Sequence, residues 1–227
     1  MTLKLIMPMA GEGSRFSEQG YPVPKPLIDI DGKPMFVRAI ESIDLTFDDY
    51  VFIVRKEHNI KNAICQYYPT AKVMELDKLT EGAACTVLLA DQYVDDNDAV
   101  LVTNCDQLIE WDSTTFDASN AGNILCFHDP DKDPKWSFAQ VDENNNIKKV
   151  AEKNPISEWA TSGHYYWKSW RNYKDAAIHM ISANDRTNGE FYLCPVYNYT
   201  IGTIKMTKID RMHGLGTPED LEKWLNS

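Results

Sequence analysis

The chain alternates short apolar runs with segments that carry apolar residues at helical spacing. Continuous apolar runs bounded by polar residues or glycine are typical of strands buried on both faces. Such strands are predicted at residues 3–9, 50–54, 71–76, 99–103 and 123–127. Helices are predicted between them at residues 34–43, 58–67 and 82–90. This order predicts an α/β fold with a Rossmann-like, mostly parallel central sheet and helices on both faces.

The pattern becomes more mixed in the second half of the chain. Two short strands are predicted around a turn at Asn144–Asn146. Further strands are predicted at residues 161–167 and 202–209, and helices at residues 170–182, 190–199 and from Thr217 onwards. We interpret residues 1–227 as a single domain. Residues 1–128 form its first half, and residues 129–227 form a small mixed sub-region that closes over it.

Composition narrows the range of partners. The formal net charge is -11, which disfavours a nucleic-acid partner because phosphate backbones attract basic surfaces. No apolar stretch approaches the length of a membrane span, and the start of the chain lacks the features of a signal peptide, so a cytoplasmic protein without a membrane partner is expected. The five cysteines form no CxxC pair, so structural zinc and a disulfide framework are not expected.

The stretch that follows the first strand carries the most informative chemistry. Gly11 and Gly13 come where a parallel strand ends, and glycines there let a ligand approach backbone N–H groups. Arg15 can place a planar charge on phosphate oxygens, and Lys25 stands between two prolines that stiffen its backbone. The spacing fits neither the dinucleotide fingerprint nor the P-loop. It nevertheless predicts a site for a polyanion.

These residues carry a family resemblance. The stretch "MAGEGSRF…PKPLIDIDGKPM" resembles the signature of the nucleotidylyltransferases that join a sugar phosphate, or a related phosphate, to a nucleoside triphosphate. Five further segments resemble later motifs of that family in the same order: "TEGAACTVLLA", "LVTNCDQL", "AEKNP", "ATSGHYYW" and "GLGTPEDL". The resemblance covers essentially the whole chain. The first motif is specific, and the shared order strengthens the rest.

The resemblance implies a reaction and a set of site residues. A substrate phosphate would attack the α-phosphorus of a nucleoside triphosphate, and pyrophosphate would leave. Residues 1–128 would bind the nucleotide, and residues 129–227 would bind the phosphorylated small-molecule acceptor. The implied catalytic residues are Arg15 and Lys25, and the implied ligand of Mg²⁺ or Mn²⁺ is Asp106. The implied nucleotide-binding residues are Met9, Ala10, Gly11, Gly13, Glu81, Gly82 and Asn104, and the implied acceptor-binding residues are Glu152, Lys153, Gly163 and His164.

One departure from the family pattern concerns the metal. Many relatives have a second metal-binding aspartate just before the closing Gly-Thr, and Gly214 stands at that position here. Asp210 and Asp220 are nearby, but neither is in the same register. The second metal ligand is therefore open.

Several functional alternatives stay open at this level. The chain resembles small members found in surface-polysaccharide and capsule loci, among which transfer from CTP to L-glutamine phosphate is known. A pyrimidine triphosphate, CTP ahead of UTP or dTTP, is favoured because residues 80–84 offer no long amide or guanidinium side chain to a purine edge. The rival functions are a nucleotide-sugar-dependent glycosyltransferase and a non-catalytic nucleotide-binding module. A homo-oligomer is compatible with the sequence.

Overall fold

The structure is a computed structural model that describes residues 2–226. Its strands are β1 (Leu3–Met9), β2 (Asp29–Ile30), β3 (Lys33–Pro34), β4 (Asp49–Arg55), β5 (Lys72–Leu76), β6 (Ala99–Thr103), β7 (Gln107–Glu110), β8 (Gly122–His128), β9 (Ser137–Val141), β10 (Ile147–Glu152), β11 (Trp159–Trp167), β12 (Ile204–Lys208) and β13 (Arg211–Gly214). Its α-helices are α1 (Ser14–Glu18), α2 (Met35–Ile43), α3 (Lys61–Tyr67), α4 (Ala83–Leu88), α5 (Trp170–Ser182) and α6 (Pro218–Leu225).

A nine-stranded sheet forms the centre of the molecule. Its parallel part runs β6-β1-β4-β5, and β11 pairs antiparallel with β6 at the edge of that part. Beyond β11 the sheet divides, because β8 and β12 continue it on one path while β9 and β10 form another. The predicted α/β fold is therefore confirmed, with a mixed second half that is built around the long strand β11.

Helices cover both faces of the sheet, as the apolar runs predicted. Along β1, Leu5 and Met7 pack with helices α2 and α3, whereas Ile6 faces the cluster that contains residues of α4 and α5. All three side chains are fully buried. Because β1 lies between two parallel neighbours with both faces covered, its carboxyl end is fixed in space. The loop after Met9 therefore starts from a rigid support.

A small two-stranded ribbon connects the end of the chain to the end of β6. Strand β13 pairs antiparallel with β7, and Gly214 lies opposite Gln107. The backbone N–H of Leu215 then donates to the carbonyl of Asp106 over 2.7 Å. Helix α6 follows, with the Thr217 hydroxyl accepting from the Asp220 N–H, so the predicted cap is confirmed. No helix within residues 2–226 has the length and apolar character that crossing a bilayer requires.

One predicted helix is wrong. Residues 190–199 were predicted to be helical, but only a 3-10 helix at Cys194–Tyr199 forms. The backbone of Phe191 is already engaged, since its N–H donates to Glu81 and its carbonyl accepts from Ala84. A backbone paired with a distant loop cannot also continue a helix. Residues 187–193 instead form an irregular segment beside the central cleft.

Candidate nucleotide-binding and catalytic site

A cleft of about 810 Å³ opens where β1 ends. One side, which we call the glycine wall, consists of residues 10–16 together with Lys25. The opposite side, which we call the far wall, consists of residues 79–83 with Arg186, Gly189 and Glu190. A cleft at the carboxyl ends of parallel strands is where open α/β sheets bind ligands. The cleft volume suits a ligand of nucleotide size.

Gly11 and Gly13 of the glycine wall are glycines for different structural reasons. Gly13 has φ +64°, and a Cβ at that position would lie 3.3 Å from the Cβ of Lys25, so the turn into helix α1 requires a residue without a side chain. Gly11 is exposed, has no such φ, and a Cβ there would meet no atom within 4 Å in the described part of the chain. The fold does not demand glycine at position 11. What the missing side chain provides is room in the cleft.

Lys25 and Asp106 form an ion pair at one end of the glycine wall. Lys25 lies at the start of a 3-10 helix that spans Lys25–Leu27, as the flanking prolines favour, and both charged side chains are 19% exposed. Burial lowers the pKa of Lys25, but the carboxylate of Asp106 opposes that effect and outweighs it, so the pKa is raised. The lysine therefore stays protonated beside the cleft.

Arg15 lies on helix α1 and lines the same cleft. Its guanidinium makes no hydrogen bond or ion pair with another side chain among residues 2–226. It is close enough to Lys25 for its positive charge to lower the pKa of that lysine. Arg15 and Lys25 thus both line the glycine wall, and of the two only Lys25 is paired with a carboxylate within residues 2–226. An exposed guanidinium without a protein partner is suited to an anionic ligand.

A second, smaller cleft of about 270 Å³ continues from the first towards Asp106. Its lining includes Met9, Gly11, Lys25, Asn104 and Asp106. The Asn104 amide donates to Gln107 Oε1 over 2.9 Å, and this contact fixes the turn that carries Asp106. The described residues contain no group of three His, Cys, Asp or Glu side chains that would hold a metal by themselves. One carboxylate beside a polyanion site nevertheless fits Mg²⁺, which is commonly bound by one or two carboxylates and substrate phosphates.

An aromatic ring crowds the position of the missing second aspartate. A Cβ at Gly214 would lie 3.0 Å from Cη2 of Trp136. Asp210 donates its backbone N–H to Glu110, at the opposite end of the β7–β13 ribbon from Asp106. Asp220 lies on helix α6, 3.9 Å from Lys223. Neither aspartate replaces the missing one, and Asp106 lines the smaller cleft together with Lys25, which lines both.

The predicted acceptor-binding pair lies at the end of β10. Glu152 accepts a hydrogen bond from the Ser137 hydroxyl, and burial raises the pKa of its carboxyl group despite this bond and the charge of Lys153. Lys153 has φ +53°, and its ammonium contacts Tyr192 both through the hydroxyl, at 2.8 Å, and over the ring. A non-glycine residue in the left-handed region is strained, and such strain concentrates at functional positions.

The other two predicted acceptor-binding residues are buried in β11. A Cβ at Gly163, which has φ +78°, would overlap the side chain of Gln107 and lie 2.8 Å from the amide nitrogen of Asn104. His164 is 0% exposed, and its Nδ1 lies 2.9 Å from the carbonyl of Ser162, while its Nε2 has no partner within residues 2–226. Both residues support the turn at Asp106 from behind. Their predicted contact with an acceptor stays a prediction.

The fold itself requires glycine at position 82 in the far wall. Gly82 has φ +138°, and a Cβ there would overlap the backbone of Phe191. The close contact between two chain segments therefore accounts for this glycine, and its predicted contact with a nucleotide stays a prediction. Thr80 and Thr86 hydroxyls lie 2.6 Å apart and both lie within hydrogen-bonding distance of the Gly82 carbonyl. The loop is thus rigid, and it still lines the cleft.

Sequence reasoning missed Arg186. Its guanidinium lies 3.9 Å from the ring centroid of Phe191 and pairs with Glu81 at 2.5 Å. The argument that no guanidinium is available near residues 80–84 is therefore wrong, because Arg186 reaches that loop from a distant part of the chain. The clue in the sequence was weak. Arg186 stands in an irregular polar segment, "ANDRTNGEF", that was not assigned a role.

Comparison with known proteins agrees with this geometry. The model of the nucleotidyl transferase family matches residues 4–191. A bifunctional protein GlmU from Methanococcus aeolicus is 27% identical over 164 residues, which are 70% of this chain and 39% of that protein. A bifunctional protein GlmU from Methanocaldococcus jannaschii is 30% identical over 165 residues, which are 70% of this chain and 38% of that protein. The chain spans about two fifths of the length of these curated relatives.

Solved structures share the whole fold. A nucleoside-diphosphate-sugar pyrophosphorylase from Vibrio cholerae RC9 superposes with a TM-score of 0.85 at 26% identity, covering 98% of this chain and 100% of that one. An inositol-1-phosphate CTP transferase from T. maritima has a TM-score of 0.77 at 17% identity, covering 98% and 93%, and this likeness shows the fold alone. The family match extends over most of the chain and includes both walls of the cleft. The chain belongs to the nucleotidyl transferase family.

Proposed function

We propose that this protein transfers a nucleotidyl group from a nucleoside triphosphate to a phosphorylated small molecule and releases pyrophosphate. The observation that carries the proposal is the continuous cleft from the glycine wall to the Lys25–Asp106 pair. Membership of the nucleotidyl transferase family supports the same reaction. The similarity to a nucleoside-diphosphate-sugar pyrophosphorylase at 26% identity supports an acceptor of the sugar-phosphate type.

The triphosphate would lie along the glycine wall. Backbone N–H groups at Gly11 and Gly13 can approach phosphate oxygens closely, because no Cβ stands in front of them. Arg15, whose guanidinium has no side-chain partner in the described residues, would balance charge on the leaving pyrophosphate. Lys25 would contact the oxygens between the α-phosphate and the incoming phosphate. Both reactants are anions, so positioning and neutralisation of charge supply most of the catalysis.

Asp106 would hold the divalent ion, Mg²⁺ or Mn²⁺. When bound, the ion would neutralise charge that develops on the phosphates during transfer. In the structure Lys25 neutralises Asp106. Lys25 would contact the substrate oxygens from this position beside the cleft.

The acceptor would bind between Asp106 and the end of β10. Glu152 and Lys153 lie at that strand end, and Gly163 and His164 lie in the strand behind Asp106. Residues 129–227 would thus bind the acceptor, while residues 1–128 bind most of the nucleotide. We propose a role in surface-polysaccharide or capsule biosynthesis, with CTP as the favoured donor. Cytidylyl transfer to L-glutamine phosphate is the specific alternative within this class.

A substrate matrix tests the function. Each of CTP, UTP, dTTP, ATP and GTP is combined with phosphorylated sugars, cholines and amino acids in the presence of Mg²⁺, and pyrophosphate release is measured. Acceptor-dependent release with one combination is the expected result. Binding of a triphosphate without turnover on any acceptor would favour a non-catalytic binding module. Cleavage of a nucleotide sugar without pyrophosphate release would favour a glycosyltransferase.

A further inference from the structure

The far wall of the cleft holds a guanidinium in a fixed orientation. Arg186 donates from Nε to Asn184 Oδ1 over 2.7 Å, from Nη1 to the Gly189 carbonyl over 2.9 Å, and from Nη2 to Glu81 Oε2 over 2.5 Å. Its planar group also lies over the ring of Phe191. Three hydrogen bonds and one ring contact therefore fix the orientation of the Arg186 guanidinium in the cleft.

This arrangement leaves hydrogen-bonding capacity unused. A guanidinium has five N–H bonds, and the three contacts account for three of them. One N–H on each terminal nitrogen has no acceptor in the part of the chain that the structure describes. The side chain is 28% exposed and lines the cleft, so a ligand in the cleft can supply these acceptors. Glu81, its ion-pair partner, is 67% exposed and lines the cleft beside it.

The position within the cleft indicates which part of a nucleotide these groups meet. If the triphosphate lies along the glycine wall, as the proposed function requires, the far wall faces the nucleoside. The negative charge of Glu81 next to Arg186 makes this pair a poor site for a further phosphate. A donor next to an acceptor is instead suited to the edge of a base, where acceptor atoms and an exocyclic amine stand side by side.

We infer that Arg186, held beside Glu81, selects the base of the nucleotide and favours cytosine. The ring N3 and the O2 of cytosine are adjacent acceptors for the guanidinium, and its exocyclic amine can donate to the Glu81 carboxylate. Uracil and thymine carry an N–H donor at N3 and an oxygen in place of the amine. The N3–H donor would then face the N–H donors of Arg186, and the oxygen would face the carboxylate of Glu81. This inference rests on the proposed function for the placement of the triphosphate, and it adds the residue that discriminates between bases.

The test is equilibrium binding of CTP, UTP, ATP and GTP to the full chain with Mg²⁺, without any acceptor. Wild type should bind CTP most tightly. Arg186→Met should weaken CTP binding on the order of 10- to 100-fold, the usual consequence of losing a hydrogen bond to a charged group. UTP binding should change little, so the preference for CTP over UTP falls about tenfold or more. Arg186→Lys should lose the preference as well, because a single ammonium cannot present two fixed donors.

Matched variants separate base selection from other effects. Arg171→Met removes an exposed arginine of helix α5 that pairs with Asp96 and Asp175, and it should leave all four affinities unchanged. Glu81→Gln keeps the size of the side chain and removes its charge, so it should lower the CTP preference even if Arg186→Met fails to fold. A merely structural or electrostatic role for Arg186 would weaken all four nucleotides equally, and that result would overturn the inference.

The failure of this inference can be told apart from failure of the proposed function. Unchanged base preference in both Arg186→Met and Glu81→Gln, or a wild type that binds UTP or GTP more tightly than CTP, overturns the assignment of Arg186. Pyrophosphate release by the same wild-type protein in the substrate matrix would still support the nucleotidyl transfer. Conversely, a CTP preference that depends on Arg186 without turnover on any acceptor would support the inference alone.

Discussion

The two walls of the cleft are built in opposite ways. The glycine wall comes from one short stretch of chain between the end of β1 and Lys25, and its shape is set by local backbone preferences of glycine and proline. The far wall joins segments that are distant in sequence, since Glu81 and Arg186 are separated by 105 positions. Its shape depends on tertiary contacts through Phe191. Local preference thus places the charges on one wall, and packing places those on the other.

This difference fits the proposed function as a division of labour. In that proposal the charges of the glycine wall would face the part of the substrate that is common to all nucleoside triphosphates, and a locally encoded loop suits that constant task. The far wall would face the part that varies. A wall assembled from separate segments can change its side chains without disturbing the phosphate site. The following changes test whether the two walls are separable in this way.

The largest effect is expected from the cations of the glycine wall. Lys25→Ala and Arg15→Ala should each lower turnover by about two to four orders of magnitude, because a preorganised charge supplies a few kcal/mol in the transition state. Turnover is measured as pyrophosphate release at saturating metal and nucleotide. Lys33→Ala removes an exposed lysine that pairs with Glu41, and it serves as the control. Near-wild-type rates in either active-site variant would contradict the assignment of this wall.

Removal of the metal should abolish activity through Asp106, the ion-pair partner of Lys25. We expect turnover to vanish in EDTA and to return with Mg²⁺ or Mn²⁺. Asp106→Asn should resemble the chelated enzyme at every metal concentration, because an amide oxygen is a poorer ligand for a divalent ion than a carboxylate is. Circular dichroism serves as the control for folding. A reaction that is insensitive to chelator would remove the metal from the proposed mechanism.

A pair of glycines, one on each wall, should separate stability from binding. Gly82→Ala places a Cβ against the backbone of Phe191 at φ +138°, so it should lower the free energy of unfolding by about 3 kcal/mol. Gly11→Ala adds a Cβ in open space, so it should leave stability almost unchanged but raise the KM for the triphosphate. Denaturant unfolding and steady-state kinetics measure the two effects. Equal loss of stability in both variants would show that the walls do not differ in this respect.

The predictability of the site from the sequence follows the same division. The place of the glycines, Arg15 and Lys25 at the end of β1 could be predicted because their spacing and the neighbouring prolines constrain the backbone locally. Asp106 was expected from the resemblance of "LVTNCDQL" to a family motif, and the structure places it shortly after β6. The roles of these residues in catalysis stay predictions. The sheet could be predicted in outline, since apolar runs mark buried strands wherever they pair.

The remainder depends on contacts that no local pattern encodes. Arg186 reaches the cleft only because residues 187–193 leave the helical path, and the apolar spacing of residues 190–199 favoured a helix there. The β7–β13 ribbon was missed because each strand has only four residues. The glycine at position 214 was visible in the sequence, but its neighbour Trp136 was not, because their contact joins strand β13 to the segment just before β9.

The last effect concerns His164 in strand β11, behind Asp106, and appears only in acid. Complete burial lowers the pKa of His164 to about 4, although a hydrogen bond with the Ser162 carbonyl opposes the shift. Between pH 4 and the ordinary histidine pKa of about 6.5, the unfolded chain takes up a proton that the native protein excludes. Stability should therefore fall as pH decreases through this window, by up to about 3 kcal/mol, with no contribution above it. Within residues 2–226, the far wall has no buried histidine of this kind. The charged groups that pair there are Glu81 and Arg186.

Urea unfolding from pH 4 to pH 7 measures this effect. His164→Gln should flatten the loss of stability between pH 6.5 and pH 4, because a side chain that does not titrate cannot be coupled to proton uptake. His179→Gln changes an exposed histidine on helix α5 and should leave the slope of the wild type. If wild type and His164→Gln lose stability in parallel over this range, His164 is not the group that links acid to unfolding. Strand β11 behind Asp106 would then be no more sensitive to acid than the far wall is.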